Sequence, residues 1–213
     1  MNDKQNKSLE YWNKIFLNFD KKDIMTDNWL DTFKDKVQNV DTPIIDLGCG
    51  MGNNILYLIN MNKKVIACDQ SINAINNIKK IFKNVDTMCF NMLDDLPFKD
   101  NSCDLIIADL SLHYFKWKDT IKIINEIKRV LKNNGYLIFR VNSIKDKNHG
   151  SGSGAIIEKH LYMTNDGLLK RFFDEEDIYR FFKDFDIEYL NEEVMTRYKL
   201  EKVLYKGCLK IRK

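Results

Sequence analysis

Proline and long apolar runs are scarce in this sequence. Two prolines, Pro43 and Pro97, occur among 213 residues, and each stands where a strand or turn is expected to begin or end. No apolar run approaches the roughly 20 residues that a membrane-spanning helix needs. The polar residues 1–7 are not followed by a signal-type apolar stretch. We therefore expect a soluble cytoplasmic protein with no membrane partner.

Metal-binding cysteine pairs are also missing. The chain has five cysteines, and none of them forms a CxxC spacing. An odd count without such pairs argues against a disulfide framework and against a structural zinc site. Because the cysteines stand beside apolar runs, we interpret them as reduced core thiols of a cytosolic protein. No metal is expected.

A large excess of charge of one sign is absent as well. The 34 Lys and Arg residues against 31 Asp and Glu residues leave a formal net charge of +3. A duplex nucleic-acid binder usually concentrates more positive charge, because it must neutralise several phosphates. The balance favours a small-molecule or protein partner, and no DNA is expected. The length suits one domain, and its oligomeric state stays open.

Apolar segments alternate between strand and helix periods through the middle of the chain. Residues 8–38 show helical spacing, which predicts two N-terminal helices. Short apolar strands are predicted at 44–47, 65–68, 87–90, 105–108 and 136–141, with helices at 55–61, 72–82 and 120–131. This alternation is typical of a parallel sheet that is covered on both faces.

The pattern changes after residue 142. Residues 145–154 are polar and carry three glycines, which predicts a mobile loop that is neither strand nor helix. A helix is predicted at 174–182, and strands at 185–190 and 202–211 are close enough to pair as a terminal antiparallel hairpin. His149, Glu158, His160 and Arg171 fit no metal motif and are expected to be solvated.

A glycine-rich segment follows the first predicted strand. Gly48, Gly50 and Gly52 are spaced as GxGxG directly after the strand residue Leu47. Ligands of open parallel sheets bind beyond the carboxyl ends of the strands. Glycine is needed there because the backbone must turn sharply and approach the ligand without a Cβ atom in the way. The segment therefore predicts a nucleotide-type site.

Two cofactor classes compete for this site. A dinucleotide fingerprint is GxGxxG, and here its third glycine position is Asn53. Asp46 ends the preceding strand, and its carboxylate would repel a pyrophosphate but suits the ammonium of S-adenosylmethionine (SAM). The spacing therefore favours SAM over a nicotinamide dinucleotide.

A second carboxylate supports the cofactor site. Asp69 follows the second predicted strand and can accept both hydroxyls of an adenosine ribose. The alternative is that Asp69 caps the next helix, a role for which Ser71 competes.

Taken together, the motifs resemble those of class I SAM-dependent methyltransferases of the type 11/25-like kind. The matching segments are 44–52, Cys68-Asp69, Leu96-Pro97-Phe98, 104–109 and 135–139, in the family's order and within residues 42–141. The resemblance implies a Rossmann-like α/β fold, doubly wound, with a seven-stranded mostly parallel sheet, an antiparallel last strand and N-terminal helices. A single domain is expected, with a helical lid at 1–40, a cofactor-binding core at 42–141 and a substrate-side part at 142–213.

The resemblance also implies cofactor contacts, position by position. The glycine loop packs under the methionine part of SAM, Asp69 holds the ribose, and Gln70 touches the adenine edge. Where the family usually places an aspartate for the adenine amino group, this chain has Asn91, whose carbonyl oxygen can also accept; Asp94 is a rival for that role. The implied cofactor-binding residues are Asp46, Gly48, Cys49, Gly50, Asp69, Gln70, Asn91, Met92, Leu93, Asp109 and Leu110.

Two residues after the fourth strand are candidates for catalysis. Methyl transfer is a direct displacement, and a general base is needed only when the nucleophile holds a proton at neutral pH. His113 is a candidate base because imidazole titrates near neutrality, and a purely structural histidine is the alternative. Asp109 is the second candidate, and it could instead face the ammonium of the cofactor. The segment lacks Asn-Pro-Pro-Tyr, the signature of amide-nitrogen and adenine methylation.

The acceptor side is less defined. Tyr11 and Trp12 lie in the N-terminal helix, which in this family often folds over the cofactor, although an aromatic pair that anchors the helix is an equal alternative. Asn142 follows the fifth strand and is expected at the substrate pocket.

The function expected from sequence is SAM-dependent methyl transfer to a small-molecule acceptor, with S-adenosylhomocysteine as product. One alternative is a protein or RNA methyltransferase whose substrate is held by the N-terminal helices and the 145–154 loop. The other is a SAM-binding protein without methyl transfer, since a fold does not determine a function.

Overall fold

The computed structural model describes residues 3–17 and 19–213, with side chains from Lys7 onward. Its six α-helices are α1 (Asp3–Ile15), α2 (Lys34–Gln38), α3 (Asn53–Asn60), α4 (Ile72–Ile81), α5 (Trp117–Val130) and α6 (Glu175–Phe181). Its ten strands are β1 (Ile44–Leu47), β2 (Val65–Asp69), β3 (Asp86–Cys89), β4 (Cys103–Asp109), β5 (Leu131–Asn142), β6 (Ala155–Glu158), β7 (Leu161–Met163), β8 (Leu169–Arg171), β9 (Phe185–Met195) and β10 (Lys202–Ile211). None of these described helices is long and apolar enough to cross a membrane.

A seven-stranded sheet in the order β3-β2-β1-β4-β5-β10-β9 forms the centre of the fold. β1 to β5 run parallel, whereas β10 is antiparallel to both of its neighbours. The predicted Rossmann-like sheet and the terminal hairpin are therefore confirmed. The strand order reverses between β1 and β4, and this switch point is where open α/β sheets bind ligands.

Two apolar cores cover the two faces of this sheet. On one face, α5 buries Ile123, Ile124 and Ile127 together with residues of α6. On the other, α3 and α4 bury Ile55 and Ile78 together with residues of the N-terminal segment. The helical spacing of these apolar residues places them on the sheet side of each helix, as the sequence predicted.

The N-terminal region is less regular than the two predicted helices. After α1 come 3₁₀ turns at Lys21–Asp23 and Trp29–Phe33, and only then the short α2. The end of α1 is bound to α4, because Asn13 and the Phe16 carbonyl share hydrogen bonds of 2.7–2.9 Å with Ser71, Asn73 and Asn77. This docking positions α1 beside the carboxyl edge of the sheet.

The segment after β5 is more ordered in structure than its sequence predicted. Residues 147–149 form a 3₁₀ turn, and Asp146 and Ser151 are buried, so the expectation of a loop without helix is wrong. A second sheet of three short antiparallel strands, β6 to β8, follows it. Strands of three or four residues are too short to show a clear period in sequence. Lys202, 56 residues further along the chain, holds Asp146 in place.

Gly207 of β10 pairs with Phe139 of β5, and the packing there leaves little space for a side chain at Gly207. A Cβ atom at Gly207 would lie 2.4 Å from Cε1 of Phe139, whose fully buried ring stacks on Phe182. We expect Gly207→Ala to lower the free energy of unfolding in urea by about 1–3 kcal/mol through overpacking.

Gly167 provides the control for this measurement. It has a φ of +77°, and a Cβ atom added there would meet no described atom within 4 Å. Gly167→Asn should therefore cost less than about 1 kcal/mol, because asparagine tolerates the left-handed region. Equal losses in the two variants would contradict the packing argument.

Candidate functional site

A cavity of about 420 Å³ lies at the carboxyl ends of the parallel strands, beside the switch point. One end is formed by the glycine turn after β1 and by the ends of β2 and β3. The other end is formed by the segment after β4, by β8 and by the connection between β9 and β10. The walls thus come from elements that are far apart in sequence, and α1 and the residue after it add Ser8, Trp12, Ile15 and Phe16.

Positive φ angles explain why glycine is required in the turn after β1. Gly48, Gly50 and Gly52 have φ of +84°, +49° and +87°. A Cβ atom on Gly48 would lie 2.4 Å from Cβ of Ser111, so the turn packs directly against the segment after β4. The amides of Gly48 and Cys49 both donate to the Cys68 carbonyl, which fixes the turn to β2.

Asp69 lines the cavity and braces the glycine turn. One of its carboxylate oxygens accepts from the Gly50 amide at 3.0 Å, and the other accepts from the Ser71 amide at 2.8 Å. Burial raises its pKa, and these hydrogen bonds oppose the rise. The helix cap of α4 is Ser71, whose hydroxyl accepts from the Ala74 amide, so Asp69 is not needed as a cap.

The segment after β3 contributes Asn91 and Met92 to the cavity, which Gln70 also lines. The side-chain oxygen of Asn91 accepts from the Leu93 amide at 2.9 Å, which uses one of its two lone pairs. Leu93 itself does not line the cavity, so this structure does not bring it to the predicted contact. Two other residues implied as cofactor contacts, Cys49 and Leu110, do line the cavity.

Asp46 departs from the expected cofactor contact. Its side chain is fully buried below the cavity, where one oxygen accepts from the Asn54 amide group at 2.9 Å. Asn54 in turn accepts from the Trp29 indole at 3.0 Å. Burial raises the pKa of Asp46 to about 7. The residue therefore supports the glycine turn from below, and it does not reach the cavity surface.

A buried ion cluster surrounds Asp109. Arg140 binds both of its oxygens at 2.7 Å, and Arg197 lies 3.3 Å from one of them. Arg140 also binds Asp27 at 2.6 Å and lies over the Trp29 ring. Burial alone would raise the pKa of Asp109, but the two guanidinium groups outweigh it and hold the pKa below its usual range.

This pairing changes the expected roles of Asp109. A carboxylate with a lowered pKa is a poor proton acceptor, and both of its oxygens already bind arginine. The structure therefore argues against Asp109 as a general base and against a free carboxylate for the ammonium of a cofactor. The side chain still lines the cavity together with Arg197.

His113 lines the cavity from the segment after β4. It is 1% exposed, and its ring lies 4.3 Å from that of Tyr114. Burial lowers its pKa well below 6.5, and the nearby ammonium groups of Lys202 and Lys170 lower it further. The imidazole is therefore neutral at physiological pH, and its Nδ1 has no hydrogen-bond partner among the described residues.

The predicted acceptor-side residues separate into two groups. Trp12 lines the cavity, stacks on Phe16 and meets Tyr114 edge to face. Tyr11 lies edge-on against Trp12, outside the lining, which suits the alternative of an anchoring aromatic pair. Asn142 is fully buried behind the cavity wall, where its side-chain oxygen accepts from Lys202.

We call the end of the cavity formed by the segment after β4, by β8 and by the connection between β9 and β10 the acceptor end, and the end at the glycine turn the cofactor end. Sequence reasoning missed most of the cations and aromatics of the acceptor end. Lys170, Arg197, Tyr198 and Lys202 all line the cavity, and so does His149, which was expected to be solvated. Arg171 is also buried, contrary to expectation, because it binds Glu158 and lies against Phe181. No motif marks these residues, since they are scattered over the three-residue strand β8, the connection between β9 and β10, the start of β10 and the 3₁₀ turn at 147–149.

His160, Asp174 and Asp177 bring ligand-type atoms within 4.8 Å of one another. Asp174 caps α6 by accepting from the Asp177 amide at 2.7 Å, and His160 binds Asp177 at 2.6 Å. The ammonium of Lys159 lies 3.8 Å from Asp174. These contacts account for the cluster as a helix cap, and its residues do not line the cavity.

Comparison with known families gives a match over the core of the sheet. The sequence model of a family described as a methyltransferase domain matches residues 45–139. This range begins in β1, includes the glycine turn and Asp69, and ends within β5. The matched range therefore includes most of the residues that line the cofactor end of the cavity.

Curated relatives include enzymes that are named for tRNA. A tRNA N(3)-methylcytidine methyltransferase of Schizosaccharomyces pombe is 26% identical over 193 residues, which cover 83% of this chain and 78% of that protein. An enzyme of the same name from Drosophila melanogaster is 30% identical over 147 residues, which cover 63% of this chain and 45% of that protein. The chain thus spans less than half of the fly relative. These matches overturn the expectation of a small-molecule acceptor.

Solved structures share the fold. A SAM-dependent methyltransferase from Anabaena variabilis superimposes with a TM-score of 0.71 at 18% identity, over 100% of this chain and 96% of that one. This shared fold agrees with the motifs, the switch-point cavity and the matching family model. Residues 45–139 therefore match a methyltransferase-domain family, and the chain has the fold of SAM-dependent methyltransferases.

Proposed function

We propose that this chain binds SAM at the glycine-turn end of the cavity and methylates a cytidine ring nitrogen in tRNA. The observation that carries the proposal is the match with the Schizosaccharomyces pombe tRNA enzyme over 83% of this chain. The residues that line the two ends of the cavity support it independently.

The residues at the cofactor end of the cavity suit the groups of SAM. The glycine turn leaves the backbone free of Cβ atoms beside Gly48 and Gly50 for the methionine part. Asp69 has two of its roughly four lone pairs in use and can accept both ribose hydroxyls. Gln70, Asn91 and Met92 line the same end and could contact the adenine.

The acceptor end has the chemistry of a site for an unstacked base. Trp12, Tyr114 and Tyr198 offer aromatic faces, and Lys170, Arg197 and Lys202 supply positive charge. Proteins that read single-stranded RNA stack bases on aromatic rings and hydrogen-bond to their edges. A base turned out of a tRNA loop would enter between these groups.

The chemistry of the acceptor explains why no general base is needed. The N3 atom of cytosine carries a free lone pair at neutral pH, so it can attack the methyl carbon without first losing a proton. SAM supplies a methyl group activated by its sulfonium. The protein then has to orient the base, keep water out and provide neutral contacts. A neutral His113 fits a role in positioning the base.

The substrate is tested by incubating the protein with radiolabelled SAM and unmodified tRNA transcripts. Label should enter the RNA, and digestion with mass spectrometry should recover N3-methylated cytidine. The control is a set of transcripts in which loop cytidines are replaced by uridine, which has a proton on N3. Label in protein or small-molecule fractions with none in RNA would contradict the proposal.

The cofactor site is tested by Asp69→Ala. Titration calorimetry with S-adenosylhomocysteine should show affinity at least about tenfold weaker than wild type, because a hydrogen bond to a charged group contributes about 1.5–3 kcal/mol. Asp95→Ala is the matched control, since Asp95 is 84% exposed and pairs only with Lys122 among described residues. NAD should not bind any of the three proteins. Unchanged affinity in Asp69→Ala would remove Asp69 from the site.

The role of His113 is tested by its pH dependence. Because its pKa lies well below 6.5, kcat/KM should show no rise from a deprotonating imidazole between about pH 6.5 and 7.5, a range below the pKa of about 8 of Lys170. His113→Gln should reduce kcat by less than about tenfold, with the melting temperature measured alongside to detect misfolding. A loss of about 10²–10⁴-fold in a folded variant would instead identify His113 as a base.

A further inference from the structure

Lys170 is placed at the cavity by the second sheet. It lies on β8, where alternation turns neighbouring side chains to opposite faces, so that Arg171 is buried against Phe181 while Lys170 lines the cavity. The ammonium of Lys170 donates to the His149 carbonyl at 2.8 Å. Among the side chains described (residues 7–17 and 19–213), Lys170 forms no ion pair of its own, and the nearby carboxylate of Asp146 pairs with Lys202.

The other two cations of the lining are already paired. Lys202 donates to Asn142 at 2.8 Å and to Asp146 at 2.9 Å, and Arg197 contacts Asp109. An ammonium has three N–H donors, so Lys202 keeps one and Lys170 keeps two beyond these bonds. Two ammonium groups with spare donors therefore stand at the acceptor end of one cavity.

The surroundings of Lys170 destabilise its charged form. Burial lowers its pKa to about 8, the neighbouring charge of Lys202 adds to the effect, and the carboxylate of Asp146, which is already paired with Lys202, opposes it only in part. His113, which faces the same end, is neutral and offers no counter-charge. A bound anion would neutralise this excess and recover interaction energy that the free protein lacks.

We propose that Lys170, assisted by Lys202, binds a phosphate group of the acceptor nucleotide. The inference rests on the proposed RNA substrate, because a target base that enters the cavity brings its flanking phosphates towards the acceptor end. An ammonium binds phosphate as a point charge and tolerates several approach angles. The phosphate subsite would thus position the nucleotide, while the aromatic groups bind its base.

The first experiment uses short RNAs that contain one cytidine with either native or uncharged methylphosphonate linkages beside it. In wild type, removal of the charge should lower kcat/KM by about 10–100-fold at one linkage, as expected for a lost charge-assisted hydrogen bond. Lys170→Met should show a similar loss on native RNA and no further loss on the uncharged RNA. Lys170→Arg should recover part of the activity.

The matched control is Lys128→Met. Lys128 lies on α5 outside the cavity lining and pairs with Asp184 at 2.7 Å. This variant should keep the full difference between native and uncharged RNA. Melting temperatures of all variants establish that Lys170→Met is folded.

A binding measurement separates this inference from the proposed function. With S-adenosylhomocysteine present, wild type should bind cytidine monophosphate at least about tenfold more tightly than cytidine, and Lys170→Met should lose that difference. This result would support the subsite even if no tRNA is methylated.

Three outcomes would overturn the inference. Equal binding of the nucleotide and the nucleoside by wild type would show that no phosphate is recognised. Weaker S-adenosylhomocysteine binding in Lys170→Met would assign the lysine to the cofactor carboxylate. Multiplicative losses from Lys170→Met and the uncharged linkage would show that they act separately.

Discussion

The buried contact between Arg140 and Asp109 is the interaction on which the site depends. Arg140 comes from β5 and Asp109 from the end of β4, while Asp27 and Trp29 come from the N-terminal segment. Arg197 joins them from the connection between β9 and β10. A buried charge is tolerated only when its partners are in place, and removal of one partner costs about 3–5 kcal/mol. The four segments are therefore stable in this arrangement only together.

The same cluster fixes the chain where β4 leaves the sheet. Leu110 has a φ of +54°, which is unfavourable for leucine, and its amide donates to the Arg140 carbonyl at 3.0 Å. The next residue, Ser111, donates its hydroxyl to the Leu47 carbonyl and packs against Gly48. The strained turn thus connects the ion cluster to the glycine turn, so that both ends of the cavity share one support.

The fold and the cofactor end were predictable because their signals are local. Apolar periods marked the strands and helices, and the spacing of Gly48, Gly50 and Gly52 marked the turn whose positive φ angles the structure shows. Asp46 looked like a ligand for the same reason, since it lies near the end of β1 beside that turn. Its burial depends on Asn54 and Trp29, and sequence spacing does not reveal that contact.

The acceptor end was not predictable because its contacts are long-range. Lys202 meets Asp146 across 56 positions, and Arg197 meets Asp109 across 88. The net charge of +3 was equally uninformative, because it averages over the whole chain while the cavity gathers its lysines at one end. A protein that binds a single unstacked base needs positive charge at only a few positions, so a near-neutral composition does not exclude an RNA substrate.

Under the proposed function, the electrostatics of the two cavity ends serve different stages of the reaction. Attack by a ring nitrogen moves positive charge from the sulfonium to the methylated base. Asp109 offers no free carboxylate to retain this cation, because Arg140 occupies both of its oxygens. The new positive charge on the base therefore gains little from this carboxylate, which favours departure of the methylated base. The phosphate keeps its charge throughout, so the lysines position the nucleotide in the same way before and after transfer.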